Sequence, residues 1–154
     1  MENYSVIKQR DICKNHNLCF FGNAPTLATI NNTIDKEASI AWLIPQLTDV
    51  AMFSNNQKEM NDCLVEECAT IIANEYFYLK TSELMLFFYY FKAGAYCEFY
   101  GSVSPLVIMK SLRLFIKDRA NAYAKREGEQ NLIKAAKNKE NSCTYEEYLR
   151  LKNK

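Results

Sequence analysis

From Leu64 onward the apolar residues fall at helical spacing, with Leu64, Cys68, Ile71, Ile72, Glu75, Tyr76 and Leu79 at i, i+4, i+7, i+8, i+11, i+12 and i+15. That period predicts a long amphipathic helix, with Glu75 as the one charged residue inside its stripe. Thr81 or Ser82 then caps a second helix, and Glu83 sits in its first turn, where a carboxylate suits the helix dipole. From Leu84 to Phe91 this helix is apolar on every side, so it is expected to be the buried centre of the fold. The run ends at Ala93-Gly94, and Ala95–Gly101 reads as an aromatic loop. Ser104-Pro105, an N-cap followed by proline at the first helical position, opens the last large helix. Its core stripe is Ile108, Met109, Leu112, Phe115, Ile116 and Tyr123.

The pattern is weaker at both ends. Residues 1–24 show no clean period and read as an irregular N-terminal arm. Pro25-Thr26 starts a short helix to about Ile34, and Asp35 caps the next, which carries Ile40, Leu43, Ile44, Leu47, Val50 and Ala51 on one stripe. Trp42 and Phe53 project from its opposite side, and Pro45 removes the hydrogen bond to Ala41, which predicts a kink or a break. After Gly128 the polar mix Glu129–Ser142 lacks a period and reads as a flexible linker. Thr144-Tyr145-Glu146-Glu147 fits a capping box, opening a tail helix with Tyr145, Tyr148 and Leu149 on one side. The expected fold is all-α: a compact bundle of about five helices over 25–127, an arm at 1–24, and a linker with a flexible tail helix at 128–154.

Composition supports this reading. A chain of 154 residues with 49% hydrophobic and 24% charged residues is expected to form one globular domain. Four Gly and three Pro are too few for the many tight turns of a β-sandwich. The net charge of +1 gives no global attraction to nucleic acid or membrane, so any such affinity must come from local clustering. Met1-Glu2-Asn3-Tyr4 does not open a secretory signal, which predicts a cytoplasmic protein whose six cysteines stay reduced. The longest apolar run is far shorter than the ~20 residues that span a bilayer, so no membrane partner is expected.

Three constellations carry candidate chemistry. Cys13, His16 and Cys19 form a C-x2-H-x2-C cluster, but a closed zinc site wants four ligands and no second C-x2-C or H-x3-H pair accompanies them. They are read as incidental residues of the arm, with no metal and no cofactor. Glu75, Lys80, Glu83 and Arg119 are candidates for a structural ion-pair network, because a buried carboxylate is costly unless paired. No phosphate-binding glycine loop, zinc-protease helix or nucleophile elbow is present, so catalysis is not expected.

The third constellation is the basic helix. At ~100° per residue Lys110, Arg113 and Lys117 fall within about one-sixth of a turn, away from Ile108 and Leu112. Lys125 lies near the same side, Arg119 points back towards the core stripe, and only Asp118 opposes the cations between Lys110 and Arg126. Such a stripe neutralises phosphates, and Tyr96, Phe99 and Tyr100 of the aromatic loop offer stacking surfaces for bases. The expected function is therefore a non-catalytic binding or adaptor role, with nucleic acid as the leading specific ligand. The alternative is a protein-interaction or oligomeric module, in which Trp42, Phe53 and the aromatic loop bury against another chain. In that case Tyr145, Tyr148 and Leu149 form a helix-in-groove docking segment.

One string adds a resemblance. Ala41-Trp42-Leu43, Glu75-Tyr76, Tyr78-Leu79-Lys80, Ser82-Glu83-Leu84-Met85-Leu86-Phe87-Phe88, and Phe91-Lys92-Ala93-Gly94 continuing to Phe99-Tyr100-Gly101-Ser102 occur in order. This resembles an uncharacterised family of small helical proteins carried by gut bacteria, their phages and mobile elements. The resemblance covers roughly Pro25 to Arg126 and leaves the Cys13–His16–Cys19 cluster outside. It implies no catalytic residue, and its mobile-element setting implies a replication-complex or regulatory accessory.

Overall fold

Helices account for all the regular structure of the described residues, which in this computed structural model are 2–53, 60–96, 103–140 and 152. Two single 3-10 turns, Glu2–Tyr4 and Val6–Lys8, precede α1 (Gln9–Ile12), α2 (His16–Phe21), α3 (Leu27–Thr33), α4 (Ala38–Phe53), α5 (Asp62–Glu75), α6 (Thr81–Lys92) and α7 (Pro105–Glu140). The all-α class stands, with seven helices rather than five among the described residues. The chain divides into two units, Met1–Arg119 and Ala120–Lys154.

In the first unit the polar punctuation does what its chemistry dictates. Asn15, Thr26 and Asn61 each accept a backbone N–H two or three residues into α2, α3 and α5, from Leu18, Thr29 and Leu64 respectively. The Ser104 side chain does the same for Val107 of α7. α6 closes in a Schellman motif: Gly94 takes φ 78°, and the N–H groups of Gly94 and Ala95 bond to the carbonyls of Phe91 and Tyr90. α3 and α6 clasp each other's starts, a connection no local signal predicts. Leu27 and Ala28 donate to the carbonyls of Leu79 and Phe77, and Thr81 donates to the carbonyl of Pro25, so first-turn donors that lack an intrahelical partner are satisfied across the fold.

α6 is the buried centre, as its all-round apolarity requires. Leu84, Met85, Leu86, Phe87, Phe88 and Phe91 are sealed from solvent, and α1, α2 and α4 pack on it. Phe87 meets Phe88, Phe91 and the α7 residue Phe115 at ring separations of 5.1, 5.7 and 5.6 Å. Ile108 and Leu112 complete the α7 side of this core.

Four expectations need correction. Residues 1–24 are not an irregular arm: their short helices bury Cys13 and Cys19 against α6, and helices of four to six residues are too short to display a period. Pro45 does not break α4, and the side chain that caps its start is Asn31, which accepts the Ser39 N–H, whereas the Asp35 carboxylate accepts from Lys36 before the helix begins. α5 stops at Glu75 instead of reaching Leu79, because residues 76–79 turn so that Phe77 and Leu79 present their carbonyls to α3. In the second unit, residues 129–140 continue α7 rather than forming a linker. Ala, Lys, Glu and Gln are strong helix formers, and the missing period reflects side chains 124–139 lying exposed, not a missing helix. The tail helix expected after Thr144, with Tyr145, Tyr148 and Leu149, lies outside the described residues.

Cys68, sealed on the inner side of α5, gives the fold an alkaline signature. Burial, aided by the charge of Glu67, pushes its thiol from 9.0 up to about 12. Above pH 9.0 the unfolded chain releases this proton while the folded chain keeps it, so stability falls as pH rises towards 12. Urea unfolding of the parent and Cys68→Ala below and above pH 9.0 should therefore give a shallower alkaline loss in the variant. The difference approaches about 1.4 kcal/mol per pH unit. Parallel pH profiles would contradict the assignment.

Candidate functional site

α7 builds a basic surface. Within the first unit its inner side carries Ile108, Leu112 and Phe115 into the core, which leaves Lys110, Arg113 and Lys117 exposed on the outer side. None of the three enters an ion pair among the described residues. Leu106 and Leu114, 63% and 45% exposed, sit along the same side. The whole helix holds nine of the chain's 19 basic residues and four of its 18 acidic ones, so the rest of the chain is net negative. Lys125 is exposed in the second unit.

Asp118, the acid expected to oppose these cations, is engaged elsewhere. It lies beside the Tyr96 hydroxyl, which burial and then the Asp118 charge hold in its neutral form well above the ordinary phenol range. Tyr96 packs half-buried against Phe87 and Phe115, at 6.2 and 6.1 Å between ring centres. It is therefore a core contact and not the open stacking surface expected of it, while Phe99 and Tyr100 lie outside the described residues. Leu106 and Leu114 were missed; their i, i+4 interleaving with Lys110 along one face was the available signal.

The candidate ion-pair network divides. Glu83 is fully buried, its Oε1 accepting from Arg119 Nε at 2.8 Å and its Oε2 from the Lys80 backbone N–H at 2.9 Å. The Lys80 ammonium donates to the carbonyls of Phe20 and Gly22, at 2.8 and 3.0 Å, where α2 ends and a cation suits the helix dipole. Ser82 donates to the Cys19 carbonyl at 2.7 Å. The Arg119 guanidinium also lies 5.6 Å from the centre of the Tyr78 ring. This junction ties α2, α6 and α7 together. Glu75 is no part of it, being exposed at the end of α5, one consequence of that helix's early stop.

The Cys13–His16–Cys19 cluster also resolves into separate contacts. The Cys13 and Cys19 thiols are buried beside each other. A hydrogen bond between them, and then burial, raises the Cys13 thiol, and the same bond lowers the Cys19 thiol. The His16 ring turns instead to Tyr90, with Nε2 2.5 Å from the hydroxyl. Among the described residues no three ligands are arranged to hold a metal ion.

Of the interface candidates, Phe53 is 64% exposed but Trp42 only 7%. The N-terminal turns cover Trp42, whose indole N–H donates to the Tyr4 carbonyl at 2.8 Å. With Ile7, Ile34 and Pro45 it forms part of the wall of an apolar groove of about 550 Å³. No helix among the described residues is long and apolar enough to cross a membrane.

Residues 59–154 match the model of a family of unknown function, DUF6633. The match takes in α5, α6 and α7 and leaves α1–α4 outside, whereas the resemblance read from the sequence begins at Pro25 and ends at Arg126. No curated protein and no solved structure matches the chain.

Proposed function

We propose that this chain, which belongs to the DUF6633 family, is a non-catalytic binding protein whose basic α7 face takes a nucleic-acid backbone. The observation that carries the reading is the stripe of Lys110, Arg113 and Lys117, exposed on one side of a helix whose other side is anchored in the core. Cations held on a rigid helix without carboxylate partners among the described residues are free to replace the counterions of phosphates. The resemblance to proteins of gut bacteria, their phages and mobile elements supports the narrower setting of a cytoplasmic replication-complex or regulatory accessory.

Charge reversal tests this directly. Changing Lys110, Arg113 and Lys117 together to Glu leaves the fold intact, since all three lie off the buried side. At about 50 mM salt the variant is expected to lose binding to DNA or RNA, and each phosphate contact removed flattens the log–log salt slope of duplex binding by about 0.9. A parent protein that shows no retention by nucleic acid under those conditions would overturn the reading. The second reading, a protein-interaction module, draws on exposed Phe53.

A further inference from the structure

We propose that the ligand of the basic α7 face is double-stranded B-form DNA, with the outer side of the helix seated in the major groove. The inference rests on the nucleic-acid reading above and names its substrate class.

The face is one continuous strip. At ~100° per residue, Leu106, Lys110, Arg113, Leu114 and Lys117 fall within about 100° of arc, and all five are exposed. The buried Ile108, Leu112 and Phe115 fall on the opposite side. From Pro105 to Lys117 the helix contains no Asp or Glu, so no carboxylate of its own interrupts the strip. Phe115 anchors it from behind on the rings of Phe20, Phe87 and Tyr96, at 6.0, 5.6 and 6.1 Å between centres. The outer side is thus a convex surface held in place before any ligand arrives, and little freedom is lost on binding.

Three forms of nucleic acid offer such a surface different partners. A single strand binds by stacking its bases on open rings, and the one ring of α7 between Pro105 and Arg119 is the buried Phe115. Duplex RNA is A-form, with a major groove too deep and narrow for side chains to read. The major groove of B-form DNA is about 12 Å wide and admits an α-helix, whose diameter with side chains is ~10–12 Å. Leu106 to Lys117 spans about 16 Å of axis, roughly the rise of five base pairs. In that groove the long Lys and Arg side chains reach the phosphates that border it. Leu106 and Leu114 face the base edges, where thymine methyl groups are apolar partners. A contact with the backbone alone leaves these two exposed leucines nothing apolar to meet.

Retention of three labelled probes by the full chain at about 50 mM salt tests the assignment. They are a mixed-sequence DNA duplex, the RNA duplex of the same sequence, and one DNA strand alone. The DNA duplex should bind about tenfold more tightly than either of the others. Leu106→Gln/Leu114→Gln keeps good helix formers at both positions and should weaken duplex binding several-fold. Its salt slope should match the parent's, because no phosphate contact is lost. Its urea midpoint should match too, since both leucines are exposed. Three results would overturn the proposal and leave the backbone reading standing: equal retention of the probes, tighter binding of RNA or the single strand, or parental duplex affinity in the leucine variant. Retention of no probe at all would overturn both.

Discussion

Truncating Phe87 to Ala is expected to cost about 3–5 kcal/mol, the most damaging single change we foresee in this chain. The ring is fully buried and has Phe88, Phe91, Tyr96 and Phe115 around it, so its removal opens a cavity lined by aromatic faces that cannot collapse into the space. A small domain's whole margin is only about 5–15 kcal/mol, so the variant sits near the folding threshold. Phe88→Ala should behave similarly, as its ring is equally buried. Phe87→Leu, which keeps apolar volume, should retain more stability and serves where the alanine variant fails to fold. The measurement is the urea midpoint, and an unchanged midpoint for Phe87→Ala would remove α6 from the centre of the core.

That centre was legible because a helix apolar on all sides has nowhere to go but inside, and Ser104-Pro105 marked the start of α7 to the residue. α5 was legible only in outline. Its buried residues are Val65, Cys68, Ala69, Ile72 and Ala73, so the true stripe runs through small alanines. The larger Ile71 and the charged Glu75, which the period recruits, are outside it. Small residues let α5 pack closely against α4, and a pattern weighted towards bulk passes over them. The early stop of α5 depends on carbonyls handed to Leu27 and Ala28, some fifty positions upstream, and no local pattern encodes a partner at that distance.

The candidate surface divides along the same line. Helical angles alone put Lys110, Arg113 and Lys117 on one outer side, because position on a helix face is a local property. The fates of Trp42 and Tyr96 are not local. One is roofed by an N-terminal turn whose Tyr4 carbonyl takes its N–H, and the other is drawn down beside Asp118. Lack of period misled at both ends, since it marks a segment without one continuous buried face. That describes the short helices of the N-terminal turns and the exposed half of α7 equally well.

Glu83→Gln is expected to be the second most damaging change, at about 2–4 kcal/mol, and to act through a single buried charge. The amide can still accept the Lys80 backbone N–H with its oxygen, but its NH₂ group then faces the Arg119 Nε–H, and two donors meet where a carboxylate stood. Arg119 is partly solvated, its side chain 22% exposed, which holds the loss towards the lower end of the range. Arg119→Met alone strands the carboxylate in a fully buried site and should also destabilise. The double variant Glu83→Gln/Arg119→Met removes both charges, and its loss should fall short of the two single losses combined by about 0.5–3 kcal/mol, the range for residues in direct contact. Nucleic-acid binding per folded molecule should stay unchanged in Glu83→Gln, because the Lys110–Lys117 face is on the other side of α7 from Arg119. Strict additivity in the urea cycle would show that Glu83 and Arg119 do not act as a pair. Lost binding in a variant with parental stability would move Glu83 from the scaffold into the site.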